Sequence, residues 1–222
     1  MGAMDGTRQA ENFEQKCLCV FALDVSGSMS GTCINELNKG LQQFAIDVAS
    51  DLALCAKLEV GIVTFGSTAE VLQTPALLDA FPMPILQADG STATADGVYL
   101  GMKMIRDRMS YWEQAGMNYY RPWLVLITDG EPDSDQDIQK LSREIDAAAQ
   151  LKVLQFLPIG VKGANMQKLA AMSSSKPQML EGMNFAKFFT WLSASLGIIT
   201  KSKEGDKIKF PKKDWTEEEY VV

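Results

Sequence analysis

Asp24, Ser26 and Ser28 stand at alternate positions in the stretch LDVSGSMSG, Thr92 lies in ADGSTATADG, and Asp129 lies in LVLITDGEP. Carboxylates and hydroxyls are hard oxygen ligands that suit a hard divalent cation, Mg²⁺ or Mn²⁺. A shell rich in neutral hydroxyls leaves such an ion incompletely neutralised. It stays electrophilic and accepts one more anionic ligand, which an exposed Glu or Asp of another protein can supply. That chemistry is binding, with no bond broken. The sequence contains no histidine, which removes Ser–His–Asp and Cys–His catalysis and His-ligated zinc or iron. Thr94 is the competing hydroxyl in the middle stretch; Thr92 is preferred because it directly follows Gly90-Ser91 and stands clear of the next helix. Aspartate with serines in a loop is by itself ordinary turn chemistry. The weight comes from the three stretches together.

Each stretch begins at or just after an apolar run. Residues 17–23, 58–65, 123–128 and 153–159 are short, continuous apolar segments, as expected of strands covered on both faces. Residues 69–73 read as an edge strand paired antiparallel through a tight turn at Gly66-Ser67, and a last short strand is expected near 178–180. Between the strands the period changes. Ile34, Leu37, Leu41, Phe44 and Val48 recur every three or four residues, as do Val98, Met102, Ile105, Met109 and Trp112. Ile138, Leu141, Ile145 and Ala148 mark a third helix, for which Ser134 is the expected N-cap. Leu169 and Met172 mark a short fourth helix, and Phe185 to Ile199 the last. Gly97 and Gly101, four apart, predict close packing of a helix on the sheet. Alternating strands and helices give an open, doubly wound, mostly parallel α/β sheet with helices on both faces and one antiparallel edge strand. Such sheets bind ligands beyond the carboxyl ends of the strands, where strand order reverses. If the strands ending at Asp24 and Asp129 are neighbours, their loops meet there.

The chain has 222 residues and a net charge of −7, which argues against general affinity for nucleic acid or an anionic membrane. The expected organisation is a lead-in over residues 1–14 beginning with a cloning remnant (MGAM), one domain over 15–200, and a charged tail over 201–222. The tail holds six lysines and six acids and reads as solvated, with Trp215 and Tyr220 available to pin it. Cys17 and Cys19 point the same way along a strand and cannot readily bridge each other. With Cys33 and Cys55 they read as free thiols in a reducing, cytoplasmic setting. No signal peptide or membrane span is expected. Met29, beside the first stretch, reads as a soft contact for a partner.

The three stretches resemble the von Willebrand factor A (vWA) family with a metal-ion-dependent adhesion site. DVSGSMSG matches its first motif, ADGSTATADGV its threonine motif and ITDGEP its aspartate motif, over roughly residues 15–200. The resemblance implies Mg²⁺ held by the hydroxyls of Ser26, Ser28 and Thr92, with Asp24 and Asp129 bound directly or through water. It further implies an acidic side chain from a partner protein to complete the shell. Within the family, the threonine stretch and the ending FAKFFTWLSASLG are similar to TerY-type proteins of bacterial tellurite-resistance and stress operons. Those are associated with a protein kinase and a PPM-type phosphatase, so the resemblance implies partners of that kind.

Two other readings compete. One is a Mg²⁺-dependent phosphotransferase or phosphatase of the haloacid-dehalogenase type, with Asp24 as nucleophile at the end of the first strand. There the general acid is usually an Asp two residues on, where this chain has Ser26, and no lysine motif follows. The other is a passive structural subunit.

Overall fold

The computed structural model describes residues 14–129, 137–203 and 206–216. Its centre is β1 (Cys17–Asp24), in which all eight residues are buried. Such a strand is stable only with layers on both faces. β1 pairs in parallel with β2 (Leu58–Phe65) on one side and with β4 (Trp123–Thr128) on the other. Beyond β4 lie β5 (Gln155–Gly160) and the two-residue β6 (Gln178–Met179), also parallel. Beyond β2 lies β3 (Ala69–Leu77), the antiparallel edge strand. The order is β3-β2-β1-β4-β5-β6.

The edge strand runs to Leu77, past its expected end at 73, because its pairing with β2 continues after register shifts around Ile62. Pro75 lacks an N–H to donate and is tolerated in a strand at the edge.

The side chains of β1 alternate between two cores, as a period of two requires. Cys17, Cys19, Phe21 and Leu23 face the layer built from α1 (Thr32–Ser50), α2 (Leu52–Cys55) and α6 (Phe185–Lys201). Leu18, Val20 and Ala22 face α3 (Thr94–Gln114), α4 (Ile138–Gln150) and α5 (Met166–Ala171). The short α2 was not anticipated from the sequence. Gly97 and Gly101 bring α3 close to the sheet: a Cβ would come 2.4 Å from Phe65 at the first and 2.7 Å from Leu124 at the second. At α4 the N-cap is Asp137, whose side chain accepts from the Lys140 N–H; Ser134 lies outside the described residues.

All four cysteines are free. Burial raises the Cys17 thiol to about 12 and takes Cys19 well above its ordinary value. Part of the charged tail departs from the solvated reading. Trp215 is fully buried against Phe188 and Trp191, and Glu181 N–H donates to the Trp215 carbonyl. Tyr220 lies outside the described residues. No helix among the described residues is long and apolar enough to cross a membrane.

Candidate functional site

β1 and β4 are neighbours, and β2 and β5 lie on their far sides. Strand order therefore reverses between them, and the loops leaving their carboxyl ends share one crevice. Asp24 closes β1 and Asp129 follows β4 directly. Asp24 is fully buried. Its Oδ1 accepts the Ser26 N–H at 2.8 Å and its Oδ2 accepts the Thr128 hydroxyl at 2.5 Å. Ser26 is buried, and its Oγ lies 3.0 Å from the Oγ of the exposed Ser28. Ser28 in turn donates to Asp129 Oδ1 at 2.7 Å. Residues 27–29 form a single 3₁₀ turn, which sets Ser28 one step outward from Ser26. Four of the five residues singled out by the sequence thus form one hydrogen-bonded set, closed across 101 positions of chain between Ser28 and Asp129.

The fifth, Thr92, sits on a loop tied to the first by backbone bonds. Asp89 N–H donates to the Val25 carbonyl at 2.7 Å, and Gly27 N–H donates to the Gly90 carbonyl at 2.9 Å. A Cβ on Gly27 would meet that Gly90 oxygen at 3.3 Å, so a larger residue would press the two loops apart. The far end of the loop is held by Ala93 N–H on the Gly66 carbonyl and by Ser91 N–H on the Ser67 hydroxyl. Thr92 retains 9% exposure. Thr94, the competing hydroxyl, begins α3 and is fully buried, and its Oγ1 has no hydrogen-bond partner among the described residues.

Burial raises the Asp24 carboxyl above the ordinary value, hydrogen bonds from Ser26 and Thr128 oppose that shift, and the charge of Asp129 adds to it. None of the ion pairs among the described residues includes Asp24 or Asp129. Two neighbouring carboxylates without a basic partner, bordered by hydroxyls, are a donor set that fits a hard cation. No three Asp, Glu or Cys side chains cluster as a metal group among the described residues, so any ion held here would rely on hydroxyls.

Thr128 joins the set through Asp24, although the sequence motifs do not single it out. Its signal was its place between the last apolar residue of β4 and Asp129, where a strand's final side chain can point at its neighbour's end. Met29 was misplaced: it is fully buried and accepts a hydrogen bond from the Cys33 thiol at 3.5 Å, so it presents no surface to a partner.

The solved structures similar to this fold include the pilus adhesin SpaC from Lactobacillus rhamnosus GG, with TM-score 0.66 and 14% identity over 84% of this chain and 30% of the adhesin. The PilB minor pilin from Streptococcus sanguinis aligns with TM-score 0.52 and 14% identity over 83% of this chain and 62% of the pilin. The ArnB paralog VWA2 from Sulfolobus acidocaldarius aligns with TM-score 0.52 and 13% identity over 82% of this chain and 45% of its own. This chain therefore spans less than two thirds of each, and at such identities the agreement concerns the fold. No curated protein sequence matches. The profile of the von Willebrand factor type A domain matches residues 19–190, most of the chain, from the third residue of β1 past β6 and into α6, and the protein belongs to that family.

Proposed function

We propose that the chain is a metal-dependent protein-interaction module. A Mg²⁺ or Mn²⁺ ion sits among the hydroxyls of Ser26, Ser28 and Thr92, with Asp24 and Asp129 bound directly or through water. A Glu or Asp of a partner protein supplies the remaining ligand. The observation that carries this reading is the set Asp24–Ser26–Ser28–Asp129, drawn from two strand ends and free of any basic side chain. Membership of a family of interaction and adhesion domains supports the binding role. The setting we infer is a cytoplasmic TerY-type stress or tellurite-resistance system, with a protein kinase and a PPM-type phosphatase as associates. It rests on the resemblance of the threonine stretch and of the last helix to such proteins. The nucleophile reading is less well supported: Asp24 is fully buried and both its oxygens already accept hydrogen bonds.

Calorimetry with MgCl₂ and MnCl₂ tests the metal. Saturable heat is expected for the wild type and none for Asp24→Ala. Because Asp24 is buried, Thr92→Ala serves as a second variant with the same expectation. Equal heats in all three proteins would overturn the assignment. Partner capture from the native host should be released by EDTA; retention through EDTA would overturn the metal bridge.

A further inference from the structure

At the end of the sheet opposite the candidate metal loops, a cavity of about 460 Å³ opens between the start of β4, the start of β5, the end of α6 and residues 208–213. This lies in the range of small-molecule sites. Three of its walls are aromatic. Trp123 and Phe210 meet edge to face at 5.8 Å between centroids, and Trp191 lies 6.3 Å from Trp123. The segment that forms the outer wall is anchored, since Trp191 Nε1 donates to the Pro211 carbonyl at 3.0 Å and Trp215 is fully buried behind it.

Two cations share this cavity, Arg121 and Lys213, and no carboxylate lines it. None of the ion pairs among the described residues includes either. Arg121 donates from Nη2 to the carbonyls of Ala149, at 2.8 Å in the last turn of α4, and of Leu154. That accounts for a guanidinium at a helix C-terminus, but carbonyl dipoles leave its charge unmatched, and its buried Nε has no hydrogen-bond partner among the described residues. Lys213 lies over the rings of Trp191 and Trp215, at 5.5 and 5.7 Å, with Gln178 as its polar contact at 3.3 Å. Burial lowers the pKa of both groups. Cations withdrawn from water without an acid gain more from an incoming anion than solvated ones do.

We propose that this cavity binds a small planar aromatic acid, its ring against Trp123, Trp191 and Phe210 and its acid group toward Arg121 and Lys213. The site is separate from the metal loops by topology, so its occupancy needs no divalent ion.

The test uses the full chain in EDTA, titrated with phenyl phosphate, phenylacetate, benzyl alcohol and inorganic phosphate, with tryptophan fluorescence as readout because two tryptophans line the cavity. A saturable change is expected with phenyl phosphate or phenylacetate, and whichever binds tighter names the acid. Benzyl alcohol and inorganic phosphate are expected to bind at least about tenfold more weakly, each lacking half of the chemistry. Lys213→Gln should weaken the aromatic acid about tenfold. Ile208→Asp, a substitution at a partly exposed rim position, should abolish binding with the unfolding midpoint unchanged. No saturable change with either acid would overturn the proposal. So would equal binding of benzyl alcohol, or unchanged affinity in both variants. A chain that binds the acid in EDTA but gives no heat with Mg²⁺ or Mn²⁺ would keep this proposal and sink the metal reading, and the reverse result would do the opposite.

Discussion

Ser28 is the one exposed member of the hydrogen-bonded set, and it joins the loop after β1 to the residue after β4. Its hydroxyl can be removed without opening the core, because Asp24 keeps its bonds from Ser26 and Thr128. We expect Ser28→Ala to leave the unfolding free energy within about 0.5 kcal/mol of wild type while weakening Mn²⁺ binding by roughly tenfold or more, read by calorimetry beside chemical denaturation. A loss of stability matching the loss of affinity would make Ser28 a structural residue. The contrast with its neighbours shows what a sequence discloses at this scale. The alternation of Asp24, Ser26 and Ser28 was visible because oxygen-bearing side chains and their spacing are written in one stretch. For Thr128 the sequence shows only a place at a strand's end, and its bond to Asp24 depends on which strand lies beside β4; Met29 misled because adjacency to a loop says nothing about which way a side chain turns within a 3₁₀ turn.

The elements that carry these residues are fitted by contacts as close as those in the site. α3 crosses the sheet on Gly97 and Gly101, and the side chain beneath Gly97 is Phe65. Phe65 pairs with Asp24 in register, and its carbonyl accepts the Val25 N–H. A methyl group on Gly97 would sit 2.4 Å from the Phe65 ring. The ring is fully buried and has nowhere open to move. Gly97→Ala should therefore destabilise the domain by about 1–3 kcal/mol, as overpacking does, despite alanine's better helix propensity; urea unfolding gives the value. An unchanged midpoint would mean that α3 can lift from the sheet. The strands and long helices were legible because a buried strand and a half-buried helix impose different periods on the same alphabet. The extension of β3 to Leu77 was not, because it depends on register shifts in its partner. Neither was the N-cap of α4, because several acids and a serine stand in a row there and only geometry selects Asp137.

Over the whole molecule, the order β3-β2-β1-β4-β5-β6 brings two strand ends 104 positions apart, Asp24 and Thr128, to one crevice. It also leaves the last helix to be tied back to the first. Lys201, in the last turn of α6, donates to Asp51 Oδ2 at 2.5 Å, while Asp51 caps α2 by accepting the Leu54 N–H. The Lys201 hydrogen bond is the largest of the causes that hold the Asp51 carboxyl below its ordinary value. A carboxylate with a depressed folded-state pKa contributes stability that is present above its unfolded value and is lost as pH falls through the folded one. The pair is partly exposed, with side-chain accessibilities of 56% for Lys201 and 28% for Asp51. Solvent screening therefore limits its contribution to a few tenths of a kcal/mol. Lys201→Met should thus lower the urea midpoint slightly at pH 7. The gap to wild type should close as pH is taken down through the carboxylate range, where protonated Asp51 no longer distinguishes the two side chains. High salt at pH 7 should shrink the same gap. A difference between wild type and Lys201→Met that persists at pH 3 would show that the lysine acts by packing its methylene chain rather than by charge, and that the clasp between the two ends of the domain is apolar.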